Sequence, residues 1–240
     1  MKTIEKRIRE ALAASHHIVH LSKADDLVAT HLSARIPDTD QLLITPHNLP
    51  FEEVCASNLV KIDIEGNIIS DRHHYGVMPQ AVNIHASVYQ KRDNVMSAMH
   101  THSIYGNAVA SLKCGLLYIN QHAIRFYNEV AYHDFDGLAL DNEGDAIADA
   151  LGDKKVMILR NHGLLTTGAS VGEACYLLHY LERCCQMQIT AMSAGSELLE
   201  IPPDVCAATK AQYDRVKTPD IDFQALVRRV KGRLKVDYRS

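Results

Sequence analysis

Apolar residues recur along this chain in two periods, and the alternation between them lays out a mixed α/β order. Ile4, Ile8, Ala11 and Leu12 fall at helical spacing with charges between them, which predicts a first helix from residue 3 to about 22. A break at 22–25 follows. The stretch 26–35 is assigned no element of its own and leads into a turn at 37–40. Residues 42–45 form a short buried strand ending at Pro46. Short turns occupy 51–54 and 56–59. Val60, Ile62 and Ile64 alternate with polar residues, 65–67 turn, and Ile68 and Ile69 begin the return, which is a hairpin signal. After a polar loop at 71–76, a helix over 81–91 carries Val82, His85, Ala86 and Tyr89 on one stripe.

The run 95–99 reads as a strand that ends in His100-Thr101-His102. A helix over 105–113, with Gly115 as its C-cap, and a short strand at 116–119 come next. Residues 130–132 are a strand ending at His133-Asp134, and 142–151 are a helix capped by Asn142. The strand 155–159 is apolar on both faces and ends at Arg160-Asn161-His162-Gly163, and 164–167 form a further strand. The longest helix runs from 170 to about 195, with Val171, Ala174, Leu178, Leu181 and Cys185 at core spacing. Pro202 and Pro203 break the chain, and helices at 207–217 and 222–235 close it. Without repeats, linkers or low-complexity segments, the expectation is one domain over residues 1–240.

Candidate chemistry enters at His100 and His102. Side chains two apart on a strand point to the same face, so the two imidazoles can chelate one transition metal at roughly 2.0–2.1 Å. His162 also follows a buried strand, where ligands of α/β sheets collect, and supplies a third donor. Three neutral imidazoles with open positions describe a catalytic rather than a closed structural zinc site; Fe2+ or Mn2+ also fits such donors. Among the remaining histidines, His85 reads as a satisfied core residue or a support of the site, and a supporting role for the pair His133-Asp134 is the lesser expectation.

Composition narrows the partners. The formal net charge is -4 over 240 residues, without the positive excess of a general nucleic-acid or membrane-surface binder. No run approaches the ~20 apolar residues of a membrane span, and residues 1–7 lack a signal core, so a cytoplasmic protein is expected. The six cysteines form no C-x-x-C pair, and most of them read as small buried hydrophobes in a reducing compartment.

The segments Thr30-His-Leu-Ser-Ala-Arg35, Leu43-Ile-Thr-Pro46, Leu59-Val-Lys-Ile-Asp63 with Gly66, Met99-His-Thr-His-Ser103 and Leu159-Arg-Asn-His-Gly-Leu164 resemble the class II aldolase/adducin family over about residues 3–239. Phe51-Glu-Glu-Val-Cys-Ala-Ser57, Lys113-Cys-Gly-Leu-Leu117 and Glu129-Val-Ala-Tyr-His-Asp134 look closer to its adducin-head-like branch. The resemblance implies a three-layer α/β/α sandwich around a central, mainly antiparallel sheet. It implies a homotetramer with the site near a subunit interface, and a metal, zinc first, on His100, His102 and His162. Thr30, Ser33 and Thr45 would bind a small hydroxy-carbonyl or sugar-acid substrate.

The chain departs from the aldolase pattern at the proton-moving group. Ala81, beside Gln80, stands where the aldolases have a glutamate four residues before the match of His85. Thr30-His31 replaces the Gly-Asn pair that helps hold a substrate phosphate, Met78-Pro-Gln-Ala81 replaces the Ser-Ser-Glu segment, and Gln121-His122 aligns with a tyrosine that reaches in from the neighbouring subunit. Glu129 or His122 is then the expected acid/base group of a metal-dependent lyase. The alternatives are a non-catalytic, adducin-head-like assembly module and a non-haem iron oxygenase on the same three histidines.

Overall fold

In a computed structural model, which describes residues 3–140, 143–216, 219–233 and 236–240, eight strands join one sheet. They are β1 (His31–Arg35), β2 (Gln41–Ile44), β3 (Val60–Asp63), β4 (Ile68–Ser70), β5 (Ser97–Thr101), β6 (Val130–His133), β7 (Val156–Leu159) and β8 (Gly163–Gly168). Their order is β4-β3-β2-β1-β5-β8-β7-β6. Every neighbouring pair is antiparallel except β6 with β7. The sheet is therefore mainly antiparallel, as the resemblance implies.

Helices cover both faces because the strands are apolar on both. In β2, Leu43 packs into one core while Leu42 and Ile44 pack into the other. The first core takes Leu12 of α1 (Thr3–Leu21), Val109 of α3 (Ile104–Ala110), Leu178 of α5 (Val171–Met192) and Phe223 of α7 (Pro219–Lys231). The second takes Ile84 and Val88 of α2 (Pro79–Lys91) and Ile147 of α4 (Glu143–Leu151). The result is the expected three layers. Leu42, Leu43 and Ile44 are fully buried; each such side chain stabilises the fold by roughly 1.5–3 kcal/mol through burial. α6 (Pro203–Arg215) packs on the 3-10 turn Ala123–Phe126.

Several elements differ from the periodicity. β1 is a strand, flanked by β2 and β5. Its alternation was obscured because His31 and Ser33, the polar side, are buried under α2, where hydrogen bonds replace apolar contact. Residues 116–119 are not a strand. The Leu116 and Leu117 N–H groups donate to Tyr132 Oη and Gln188 Oε1 at 3.0 and 2.8 Å, side-chain acceptors in place of a neighbouring strand. α3 ends at Ala110 rather than 113, and Gly115 (φ +63°) closes a later turn, where a Cβ would stand 2.5 Å from Tyr132 Oη. α6 and α7 begin earlier than expected, each with a proline at its first residue, where the missing N–H costs nothing. The expected cap Asn142 and the expected helix ends Lys217 and Lys235 lie outside the described residues.

Candidate metal centre

One end of the antiparallel β5–β8 pair, where Thr101 faces Leu164, builds the centre. β5 stops at Thr101, so His102 lies one residue beyond the strand yet keeps the face of His100. From the other side, the β7–β8 turn turns tightly through Asn161 (φ 56°) and delivers His162. Gly163 permits this: a Cβ there would lie 2.3 Å from the Thr101 carbonyl oxygen, a backbone atom that cannot swing aside. His100 Nε2 and His102 Nε2 stand 2.8 Å apart, and His162 Nε2 lies 3.0 Å from His102 Nε2.

The other ring nitrogens decide what those three atoms are. His100 Nδ1 lies 3.0 Å from the Leu164 carbonyl, which only accepts, so the proton sits on Nδ1. His102 Nδ1 faces Asp26 Oδ2 at 3.3 Å, which assigns its proton in the same way. Two Nε2 lone pairs then point at each other across 2.8 Å, with a third imidazole beside them. Facing lone pairs repel unless a cation or proton lies between them. The donor set therefore fits a divalent metal, its imidazoles oriented by the outer partners that ligating histidines usually have. Burial first, and then the neighbouring histidines, hold His100 far below the usual imidazole range; burial, then His102 and His133, lower His162 to about 4. Both are neutral donors at neutral pH.

Replacing Asp26 by asparagine is expected to weaken metal binding by about tenfold, the low end of the range for an outer partner because Asp26 is half exposed. Competition against a chromophoric chelator checks this.

A fourth histidine, buried like His100, adjoins the three. His31 pairs with His100 in strand register, and their rings lie 4.8 Å apart. His31 Nδ1 is 2.8 Å from His85 Nε2, and His85 Nδ1 is bound by Ser33 Oγ, which is in turn 2.8 Å from Tyr89 Oη. His85 is thus a satisfied core residue, as its helix stripe implied. The sequence reading named His31 only as part of the pair Thr30-His31, not as a neighbour of His100, and did not single out Asp26. The signal for His31 was β1 itself: alternation along the strand puts it level with His100. Asp26 lay in a stretch without period. Glu182 of α5 was also missed. It accepts hydrogen bonds from Ser103 Oγ and the Gly106 N–H, and so fixes the first turn of α3 directly after His102. Burial raises its pKa, against those two bonds.

Of the remaining candidates, Glu129 lies away from the three histidines within one chain. Glu129 precedes β6, whose His133 is level with Leu159; about 13 Å of strand rise separates Glu129 from that level. It lies 3.5 Å from Lys210 Nζ on α6. His122 stacks on Tyr180 of α5 at 5.5 Å between ring centres. Burial, with Arg125 and Arg183, lowers its pKa. Ser33 and Thr45 have their hydroxyls engaged in the core. Thr45 Oγ1 accepts from the Leu32 N–H and lies 2.8 Å from His16 Nε2. Thr30 differs: its hydroxyl is buried without a partner, next to His31. His133 pairs with Asp136 at 3.2 Å rather than with Asp134, while Phe135 sets its ring edge-on to His162 at 6.2 Å.

An α/β/α sandwich with a metal-competent imidazole cluster at its strand ends is the class that fold and site define. Residues 10–189 match the model of the class II aldolase and adducin N-terminal domain family, and the chain belongs to that family. The solved aldolase II superfamily protein from Pseudomonas syringae superposes with a TM-score of 0.95 at 40% identity, covering 100% of this chain and 98% of that one. The L-fuculose 1-phosphate aldolase from Glaciozyma antarctica gives 0.86 at 28% identity, covering 100% of this chain and 96% of that one. Alpha-adducin of Rattus norvegicus is 39% identical over 197 residues, 80% of this chain but 26% of the adducin.

Proposed function

We propose that this protein is a metal-dependent lyase of the class II aldolase type, acting on a small hydroxy-carbonyl or sugar-acid substrate. The observation that carries the reading is the convergence of three Nε2 atoms, two with their lone pairs assigned by Leu164 and Asp26. His100, His102 and His162 would hold the ion, with Zn2+ first and Fe2+ or Mn2+ as alternatives. Bound there, it would act as a Lewis acid for the negative charge that develops when a carbon–carbon bond breaks.

The protein's own contribution is to orient and shield. The Leu164 carbonyl and Asp26 lock two imidazole tautomers, and Phe135 covers one side of His162. Thr30 offers a buried, unspent hydroxyl close to His31, a group suited to gripping a substrate oxygen. Exposed apolar side chains adjoin the site in sequence and space: Leu27 follows Asp26, Ile104 follows Ser103, and both are more than three-quarters exposed. They support a homotetramer in which the site lies near a subunit interface, where Glu129 or His122 of a neighbouring copy can serve as acid/base group. The six cysteines are all free, which supports a reducing, cytoplasmic setting for a single domain over 1–240.

Ala81 favours a second reading. It is 1% exposed in the apolar layer under α2, so no carboxylate can act from that position. With the identity to alpha-adducin, this supports a metal-binding assembly module. Metal analysis of unchelated protein, with retro-aldol and decarboxylation assays over keto acids and sugar acids, separates the two. The lyase reading expects stoichiometric metal and turnover of at least one substrate that chelation abolishes. A metal-replete protein inert across the panel would leave the module; bound iron with oxygen uptake on a 2-oxo acid would leave the oxygenase.

A further inference from the structure

A second constellation of donors lies at the C-terminal end of α1. His20 Nδ1 is 2.8 Å from Asp25 Oδ2 and 3.4 Å from Glu52 Oε2. The three ligand atoms all lie within 4.8 Å of one another, and all three residues are partly buried. They come from three elements: the last turn of α1, the loop after it, and the 3-10 turn Phe51–Glu53. Among the described residues, neither carboxylate forms an ion pair with a lysine or arginine; each has the same imidazole nitrogen as its ion-pair partner. One nitrogen carries one proton, so it can donate to one of the two carboxylates and not both. The two carboxylates share this corner at the negative end of a 19-residue helix dipole. A divalent cation removes the charge excess and accepts all three donors at once.

We propose that His20, Asp25 and Glu52 form a second divalent-metal site, distinct from the three-histidine centre. One imidazole and two carboxylates make a harder donor set than three imidazoles, so Mn2+ competes with Zn2+ here better than at the first centre. The two sites share a loop. Asp25 belongs to the second, and the next residue, Asp26, lies against His102 of the first. A cation at the second site fixes the backbone from which Asp26 reaches His102.

Untagged full-length protein, stripped with chelator and dialysed to equilibrium against micromolar Zn2+ or Mn2+, tests the site by metal analysis. Wild type is expected to bind two equivalents of Zn2+ per chain. His20→Ala and Glu52→Gln are each expected to lose one equivalent, and His102→Ala to lose the other. Glu52→Gln changes a half-exposed side chain and serves as the variant that keeps the fold, checked by circular dichroism. The proposal is overturned if Zn2+ and Mn2+ binding are the same in wild type, His20→Ala and Glu52→Gln. Should the three-histidine centre bind nothing, the second site would still show as one equivalent that Glu52→Gln removes, so the two failures are distinguishable.

Discussion

Replacing His100 by alanine is expected to remove the metal equivalent of the three-histidine centre and any lyase turnover together, the largest functional effect of a single change in this chain. His100 is fully buried, its Nδ1 proton is committed to Leu164, and its Nε2 is the closest partner of His102 Nε2. Without it, two imidazoles remain, one of them after the end of β5 and the other on a turn. The loss of affinity should exceed the ~10–100-fold that removing an outer partner costs. Alanine also leaves a cavity between β5 and α2, worth on the order of 2–5 kcal/mol if it behaves as other large-to-small core changes do. Metal content must therefore be read beside thermal unfolding, and His100→Gln gives a variant that fills the space. His31→Ala is the informative contrast. His31 touches His100 without a place among the three converging nitrogens, so metal should be retained while turnover falls. Undiminished metal in His100→Ala or in His100→Gln would refute the three-histidine centre.

The three histidines were legible because each rests on a local rule. Strand alternation aligned His100 with His102, and a glycine after a buried strand marked the turn at His162. The side chains packed against these histidines were not legible for the same physical reason that β1 was not. His31, Ser33 and Arg35 are polar residues on a central strand, and the hydrophobic period vanishes where hydrogen bonds do the covering. Asp26 lies in a loop that periodicity cannot place, and its contact with His102 spans 76 residues of sequence. The candidate bases are a different case. Glu129 and His122 are near sheet and helix ends in sequence, but strand direction puts Glu129 at the start of β6, whereas His162 follows the far end of the parallel strand β7. Alignment to a residue that acts across a subunit boundary says nothing about its place within one chain. Ser33 and Thr45 show the converse: a matching segment can supply a buried hydroxyl that the fold itself consumes.

Lowering the pH from 7.5 to 5.5 is expected to remove about 3 kcal/mol of stability from the metal-free protein through two histidines alone. His16 is fully buried, with Nδ1 2.8 Å from the Leu12 carbonyl and Nε2 2.8 Å from Thr45 Oγ1. Burial lowers its pKa from 6.5 to about 3, with His17 adding to the effect and the Leu12 hydrogen bond opposing it. Burial alone lowers His85 from 6.5 to about 3. Both are neutral in the fold throughout the range, while the unfolded chain takes up a proton on each as the pH passes 6.5. Between about 3 and 6.5 the unfolded state therefore binds more protons, and stability rises with pH across that window. Each histidine contributes a slope of ~1.4 kcal/mol per pH unit below the unfolded value, on a total that for folded domains is only about 5–15 kcal/mol. Acid unfolding should thus set in at mild acidity, before most carboxylates protonate. Urea unfolding at the two pH values measures the change, with chelator present because metal release carries its own proton dependence. His16→Gln, which keeps a hydrogen-bonding side chain but cannot charge, should halve this contribution. A urea midpoint that does not move between the two pH values would mean that these imidazoles are not held neutral by burial.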